Sequence, residues 1–338
     1  MSSLKIGSVT LPHGLMLAPM AGVTDTAFRL LCRQFGAEYA VTEMVSAKAL
    51  CFEQRQRAGK PLRTAPIATI EENEAPTAVQ LFGNDPTMMA EAARLLASGT
   101  YQGFQGVLPV AIDINMGCPV AKVVDNGEGS ALLKSPALAA EIVRQVKEAV
   151  SIPVTVKIRA GFYRDQIVAP EFAKRLEQAG ADLICVHGRT RQQFYAPSSD
   201  NGVIKAVKEA VSVPVIGNGD LFSAEAVQTM LQETNCDGVA IARGAQGNPF
   251  LFAEIVAALE SRPYTPPTPA ERLAVALSHA ADLAARKGEH IGLAEARKHM
   301  LWYCKGLRGS NAARVALTQA TTLREIKAIF DTLLEANE

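Results

Sequence analysis

The sequence has 338 residues, a formal net charge of zero, 48% hydrophobic residues and 20% charged ones. That balance belongs to a folded globular chain and excludes a disordered one, and no apolar run reaches the roughly 18 residues a membrane-spanning helix needs. Zero net charge excludes a broadly basic, nucleic-acid-coating surface but not a local basic patch.

Eight apolar runs read as strands, most of them followed by a helical pattern. Leu15-Met16-Leu17-Ala18 is the first, ending at Pro19-Met20-Ala21-Gly22, with a helix start at Thr24-Asp25. Tyr39-Ala40-Val41-Thr42 is the second and ends at Glu43. Residues 61–76 are polar and proline-bearing, and read as a loop. The third strand, Ala78-Val79-Gln80-Leu81-Phe82, is followed by a helix with Asp85 as N-cap and Pro86 as its first residue. The fourth runs from Val110 to Asn115 and stops at Met116-Gly117-Cys118-Pro119, where Gly117 and Pro119 suggest a constrained turn. Residues 122–129 read as a loop, and a helix follows from Pro136. Strands five to eight run into Lys157 and Arg159, His187-Gly188-Arg189, Gly217-Asn218-Gly219-Asp220, and Ala242-Arg243-Gly244.

Eight β-then-α units with strands apolar on both faces indicate a helix-covered parallel sheet. The fold class expected is therefore α/β, a (β/α)8 TIM barrel with a C-terminal all-α helical domain. An open doubly wound sheet is the alternative, but no G-x-G-x-x-G follows the first strand. The domains expected are a barrel over 1–260, a proline-rich linker over 261–269 and a helical domain over 270–338. The N-terminus lacks a signal-peptide pattern. Six scattered cysteines (Cys32, Cys51, Cys118, Cys185, Cys236, Cys304) show no metal-binding spacing, so a cytoplasmic protein with reduced thiols and no metal is expected.

In a barrel, strand carboxyl ends converge on the catalytic face. Here they carry Pro19 and Met20, Glu43, Gln80, Asn115 with Cys118, Lys157, His187, Asn218-Gly219-Asp220 and Arg243. The last two strand ends match the usual phosphate site of such barrels. A cation at Lys157 suits an anionic ring, although an internal ion pair with Glu43 would be the bland alternative. Gln80 can donate and accept at a heterocycle edge. Together these suggest flavin mononucleotide, with a Schiff-base role for Lys157 as the competing chemistry. Cys118 is either a reacting group or a small buried thiol. Residues 296–324 hold Arg297, Lys298, His299, Lys305, Arg308, Arg314 and Arg324 with no acid, interleaved with Trp302 and Tyr303. Such a segment can neutralise phosphates and stack on unpaired bases, which favours RNA over the alternative of a solvated helix face, where both charge signs would normally mix.

These motifs together resemble the tRNA-dihydrouridine synthase family, and within it the bacterial B-type branch. The resemblance rests on A-P-M-A-G at 18–22, V-Q-L-F-G at 79–83, I-D-I-N-M-G-C-P at 112–119, V-K-I-R at 156–159, V-H-G-R-T at 186–190, N-G-D at 218–220 and A-R-K-H at 296–299. It implies FMN held by Pro19, Met20, Ala21, Gln80, Lys157, His187, Asn218, Gly219, Asp220, Ala242 and Arg243. It also implies NADPH as reductant, Cys118 as the acid for C5 of a D-loop uridine, and Asn115 as a holder of the uracil. Arg297 and Lys298 are the residues expected to touch tRNA; no membrane and no obligate protein partner is expected. Ala242 stands where the B-type pattern usually has glycine, and residues 99–109 are longer than that pattern. Two other functions fit parts of the sequence. A flavin barrel acting on a free pyrimidine would have no use for the basic segment, and an RNA-binding protein with a silent barrel would carry no flavin.

Overall fold

A computed structural model describes residues 3–57 and 59–337. The chain divides into two compact units, the first ending at Ala242 and the second beginning at Arg243.

The first unit opens with a hairpin, β1 (Leu4–Ile6) and β2 (Val9–Leu11), paired antiparallel. Eight parallel strands then close into a barrel: β3 (Leu15–Leu17), β4 (Tyr39–Ser46), β5 (Thr77–Phe82), β6 (Ile112–Met116), β7 (Val154–Arg159), β8 (Leu183–His187), β9 (Val215–Asn218) and β10 (Gly238–Ile241). β10 pairs with β3, which removes both sheet edges. The (β/α)8 barrel read from the sequence is the observed fold. The hairpin lies at the amino end of the strands. Its Leu4, Ile6 and Leu11 share one core with Met16, Tyr39, Leu183 and Ile216. Each such buried side chain contributes about 1.5–3 kcal/mol relative to exposure.

Helices between the strands begin where the sequence supplies caps. Asp25 accepts from Phe28 N ahead of the helix Thr26–Gln34, and Asp85 accepts from Thr87 N and Met88 N ahead of Pro86–Ala97. Several local expectations need correction. Glu43 lies inside β4 rather than at its end, because the pairing of β4 with β5 slips between Val41 and Met44 and the strand continues to Ser46. The loop expected at 61–76 contains a short helix, Ala65–Ala68, and a 3-10 turn, Glu72–Glu74. The loop after Cys118 likewise contains a helical turn, Ala121–Val124, before the 3-10 segment Gly129–Lys134.

In the second unit, the helix Leu251–Leu259 precedes residues 262–268, which have no regular structure. Four helices follow: Pro269–Lys287, Glu289–Tyr303, Ser310–Gln319 and Leu323–Glu335. Capping boxes at Thr268/Glu271 and Thr322/Glu325 start the first and the last of these. No helix among the described residues is long and apolar enough to cross a membrane.

Candidate active site

β6 delivers Cys118 to the barrel's carboxyl end. The turn is fixed by three neighbours. Asn115 Oδ1 accepts from Gly117 N at 3.2 Å and Cys118 N at 2.9 Å, and Arg159 Nε donates to Gly117 O at 2.8 Å. Ser130 N donates to Cys118 O at 3.1 Å, folding the following loop back on the turn. The glycine this fold requires is Gly129, not Gly117. Gly129 has φ +59°, and a Cβ there would lie 2.9 Å from Val123 Cγ1 and 3.1 Å from Cys118 Cβ. Gly117 is not at positive φ and meets only ordinary contacts. Five of the six cysteines are buried, whereas Cys118 is half-buried. Burial pushes its thiol pKa up, against opposing pulls from the Val120 backbone, Arg159 and Lys157. The group is therefore a protonated thiol at neutral pH, suited to giving a proton rather than attacking.

Behind the turn runs a chain of side chains that the sequence reading missed in part. Asp113, fully inside the barrel, accepts from Gln80 Nε2 at 2.6 Å and Thr155 Oγ1 at 2.5 Å. Gln80 Oε1 in turn accepts from Asn115 Nδ2 at 2.8 Å. Burial pushes the Asp113 pKa up, while the bonds from Gln80 and Thr155 and the charge of Lys157 pull it down; as a carboxylate it can only accept, and Gln80 then presents its NH2 to Asp113 and its oxygen to Asn115. Asn115 must then present its NH2 to Gln80, which leaves its oxygen for the two N–H groups of the Cys118 turn. Asp113 thus sets the direction of every amide up to the reacting residue. It is Asn115's neighbour but one on β6, so its side chain points to the same face. That alternation was the available signal.

Lys157 on β7 is half-buried and donates to Asn218 Oδ1 on β9 at 2.9 Å. Its recorded partner is thus Asn218 and not Glu43, whose Oε1 receives Gly22 N. Desolvation lowers the Lys157 pKa, with Cys185 and Asp113 pulling the other way. Asn218 Nδ2 donates to Ala240 O at 2.6 Å, tying β9 to β10 beside Ala242. Pro19 lines one interior cavity with Asp113, Thr155 and Lys157, while Met20 and Ala21 follow it into the turn where Met20 N donates to Thr24 Oγ1. At β8, His187 Nε2 lies 3.4 Å from Arg189 Nη1. Arg189 grips Asp220 through both terminal nitrogens, at 2.9 and 2.5 Å, and Ser199 N also donates to Asp220. The carboxylate of Asp220 is therefore committed to Arg189. Gly219 has φ +125° and no room for a Cβ beside Ser199 and His187, so only backbone is exposed to a ligand there.

The sequence profile of the dihydrouridine synthase family matches residues 16–337. The chain belongs to that family. It is 43% identical over 331 residues to a probable tRNA-dihydrouridine synthase 1 of Synechocystis sp., covering 97% of this chain and 88% of that protein. It is 42% identical over 316 residues to tRNA-dihydrouridine synthase B of Pseudomonas aeruginosa, covering 93% and 90%. Among solved structures, histamine dehydrogenase from Rhizobium sp. 4-9 shares the barrel fold, with a TM-score of 0.56 at 15% identity over 88% of this chain and half of that one.

The chain is thus a flavin-dependent oxidoreductase of the B-type bacterial branch, with FMN as its cofactor. The residues present fit that group. A half-buried cation sits on β7 with its amine tethered by Asn218, next to an interior carboxylate, while the Gly219 turn admits no side chain.

In the second unit, the basic segment separates by helical face. Lys305, Arg308, Arg314 and Arg324 are exposed. His299 and Tyr303 are instead fully buried, so neither meets solvent; His279 packs edge-on to His299 at 4.5 Å between ring centroids. Arg297 and Lys298 are half-buried, and Arg297 Nε donates to Ala320 O at 3.1 Å.

Proposed function

We propose that this protein is a tRNA-dihydrouridine synthase that reduces the C5–C6 double bond of a D-loop uridine. The observation carrying this reading is the protonated, half-buried Cys118 on a turn whose two N–H groups are held by Asn115. When bound and reduced by NADPH, FMN would supply the hydride that C6 of the uracil needs. Cys118 Sγ gives its proton to C5, and Arg159, fixing Gly117 O, keeps the thiol from drifting with its loop. Lys157 places a positive charge beside the ring system, and Gln80 and Asn115 orient the amide edges that meet the heterocycles. Pro19, Met20, Ala21, His187, Gly219 and the Asp220 backbone complete the cofactor's surroundings. Ala242, with Arg243 directly after it in the chain, is assigned to the phosphate on its position at the end of the last strand. Arg297 and Lys298 are assigned to the tRNA backbone, and the enzyme to the cytoplasm, with no membrane and no obligate partner.

The test is Cys118→Ala, assayed by mixing pre-reduced enzyme with unmodified tRNA in the absence of oxygen and following flavin reoxidation. Loss of a general acid costs about 10²–10⁴ in rate. Because the folded thiol pKa is raised, the parent's acid form persists through neutral pH, and its rate falls only as pH climbs past that raised value. Reoxidation of the variant at the parent's rate overturns the assignment. Activity on free uracil equal to that on tRNA would move the reading to a free pyrimidine.

A further inference from the structure

Two loops at the carboxyl ends of β7 and β8 carry aromatic rings that the reading above does not use. Arg191 N donates to Gly161 O at 2.8 Å, Gln192 N to Phe162 O at 3.2 Å, and Arg164 N to Gln192 Oε1 at 3.0 Å, so the loops are stitched into one body. That body presents Tyr163, Phe194 and Tyr195 at 44%, 41% and 53% exposure, three exposed rings on one pair of loops. Phe162 and Tyr163 meet edge to face at 5.0 Å, as do Phe194 and Tyr195 at 5.9 Å.

Phe194 also sits at φ +50°, a left-handed conformation that is a true outlier for a bulky residue. Glycine would adopt it without strain. Strain of this kind concentrates at ligand clamps, where it is kept for what the side chain does. Its carbonyl is held by Arg159 Nη1, the same guanidinium whose Nε fixes Gly117 beside Cys118. The backbone that carries the ring is therefore tied through Arg159 to the reacting turn.

Charge completes the picture. Lys134 Nζ lies 4.4 Å and Arg191 Cζ 5.4 Å from the Phe162 ring centre. Neither cation is ion-paired to a carboxylate among the described residues, and Arg191 Nε is buried without a hydrogen-bond partner. Both cations therefore lie against Phe162, and they give the loop body positive charge beside its exposed rings.

We propose that these loops form a binding site for one unpaired nucleotide of the RNA substrate adjacent to the target uridine. Phe194 and Tyr195 stack its base, and Lys134 and Arg191 receive its phosphate. The site is sequence-tolerant, because any base offers a π-face. The proposal rests on the tRNA reading above and deepens it by naming how a flanking nucleotide is held.

The test measures equilibrium binding of FMN-loaded enzyme to a labelled, unmodified tRNA transcript over a range of salt. Tyr195→Ala is expected to weaken binding by about 5- to 150-fold, the range that stacking on one ring covers, with the log–log salt slope unchanged. Tyr195→Trp, which keeps a stacking surface, is expected to retain binding. Lys134→Gln is expected to lower the salt slope by about one. Phe194→Gly separates strain from function: it should raise or hold thermal stability while binding weakens. Parent-like affinity in both Tyr195→Ala and Phe194→Gly overturns the site and turns the rings over to a protein partner. Weakened binding accompanied by an equal loss of stability in both also overturns it, in favour of a packing role. If the parent itself leaves tRNA without dihydrouridine, the functional reading fails, an outcome distinct from either of these.

Discussion

The two most deeply buried carboxylates of the barrel unit among the described residues, Glu74 at 0% exposure and Asp113 at 3%, are solved in opposite ways. Glu74 faces a charge. Arg29 meets it with Nε at 2.5 Å and Nη2 at 2.9 Å, and spends its remaining reach on Thr24 O, Thr26 Oγ1 and Thr69 O. Glu74 Oε1 also takes Glu71 N. The cluster is closed, and it ends where it began. Asp113 faces neutral donors, Gln80 and Thr155, and the chain it starts runs outward to Asn115 and the Cys118 turn. A saturated ion pair fixes a helix to a loop, whereas a one-way amide chain transmits orientation to a group that must meet a ligand. The difference separates scaffold from site more sharply than burial or charge does, since both carboxylates are equally hidden.

The largest effect expected from this contrast is at the closed cluster. Glu74→Ala leaves Arg29 charged and unpaired in the interior, which costs about 3–5 kcal/mol of stability. Urea unfolding of the variant should show that loss, with turnover per folded molecule held at the parent's value. A stability change under 1 kcal/mol would mean that water reaches Arg29 and that the pair is no scaffold.

A smaller effect with a different signature is expected at Asp113. Asp113→Leu orphans donors on Gln80 and Thr155, at about 1–3 kcal/mol, and frees Gln80 to flip. Flipping reverses the chain and turns the Asn115 NH2 toward two N–H groups, so uridine reduction should fall much further than flavin binding. Asp113→Asn is the control, because its oxygen can face Gln80 while its NH2 faces the Thr155 hydroxyl. Uridine reduction is expected to survive in Asn and fail in Leu. Equal rates in the two would show that orientation is not transmitted.

How much of this was legible differs from one region to another. The eight barrel strands showed because each is an uninterrupted, largely apolar run bounded by turn signals, and their ends placed Gln80, Asn115, Cys118, Lys157, His187 and Asn218 on one face. The hairpin Leu4–Ile6 and Val9–Leu11 did not, since Lys5 and Thr10 break each short strand into single apolar residues. Asp113 was hidden by its setting, as an acid in an apolar run reads as an exception until its hydrogen bonds are visible. Phe194 gave no sign either, because backbone strain has no counterpart in composition. The basic segment was legible in its exposed cations but not in His299 and Tyr303. Counting cations along 296–324 ignored the helical period, and Ala296, His299, Met300 and Tyr303 recur at the spacing of one buried face.

That buried face sets the smallest effect and the last comparison, between adjacent cations of one helix. Arg297 and Lys298 are both half-buried on Glu289–Tyr303, yet Arg297 is spent in part on Ala320 O, a bond that ties this helix to the chain following Ser310–Gln319. Lys298 makes no such bond among the described residues. Lys298→Ala should therefore act as a phosphate contact does, lowering the log–log salt slope of tRNA binding by about one and leaving stability nearly unchanged. Arg297→Ala should lower stability by about 1 kcal/mol through the lost bond, with part of any fall in affinity following from the loosened helix. Measuring salt slope and unfolding midpoint on both variants splits the two roles. A slope change in Arg297→Ala alone would reverse the assignment, making Arg297 the RNA contact and Lys298 a solvated side chain.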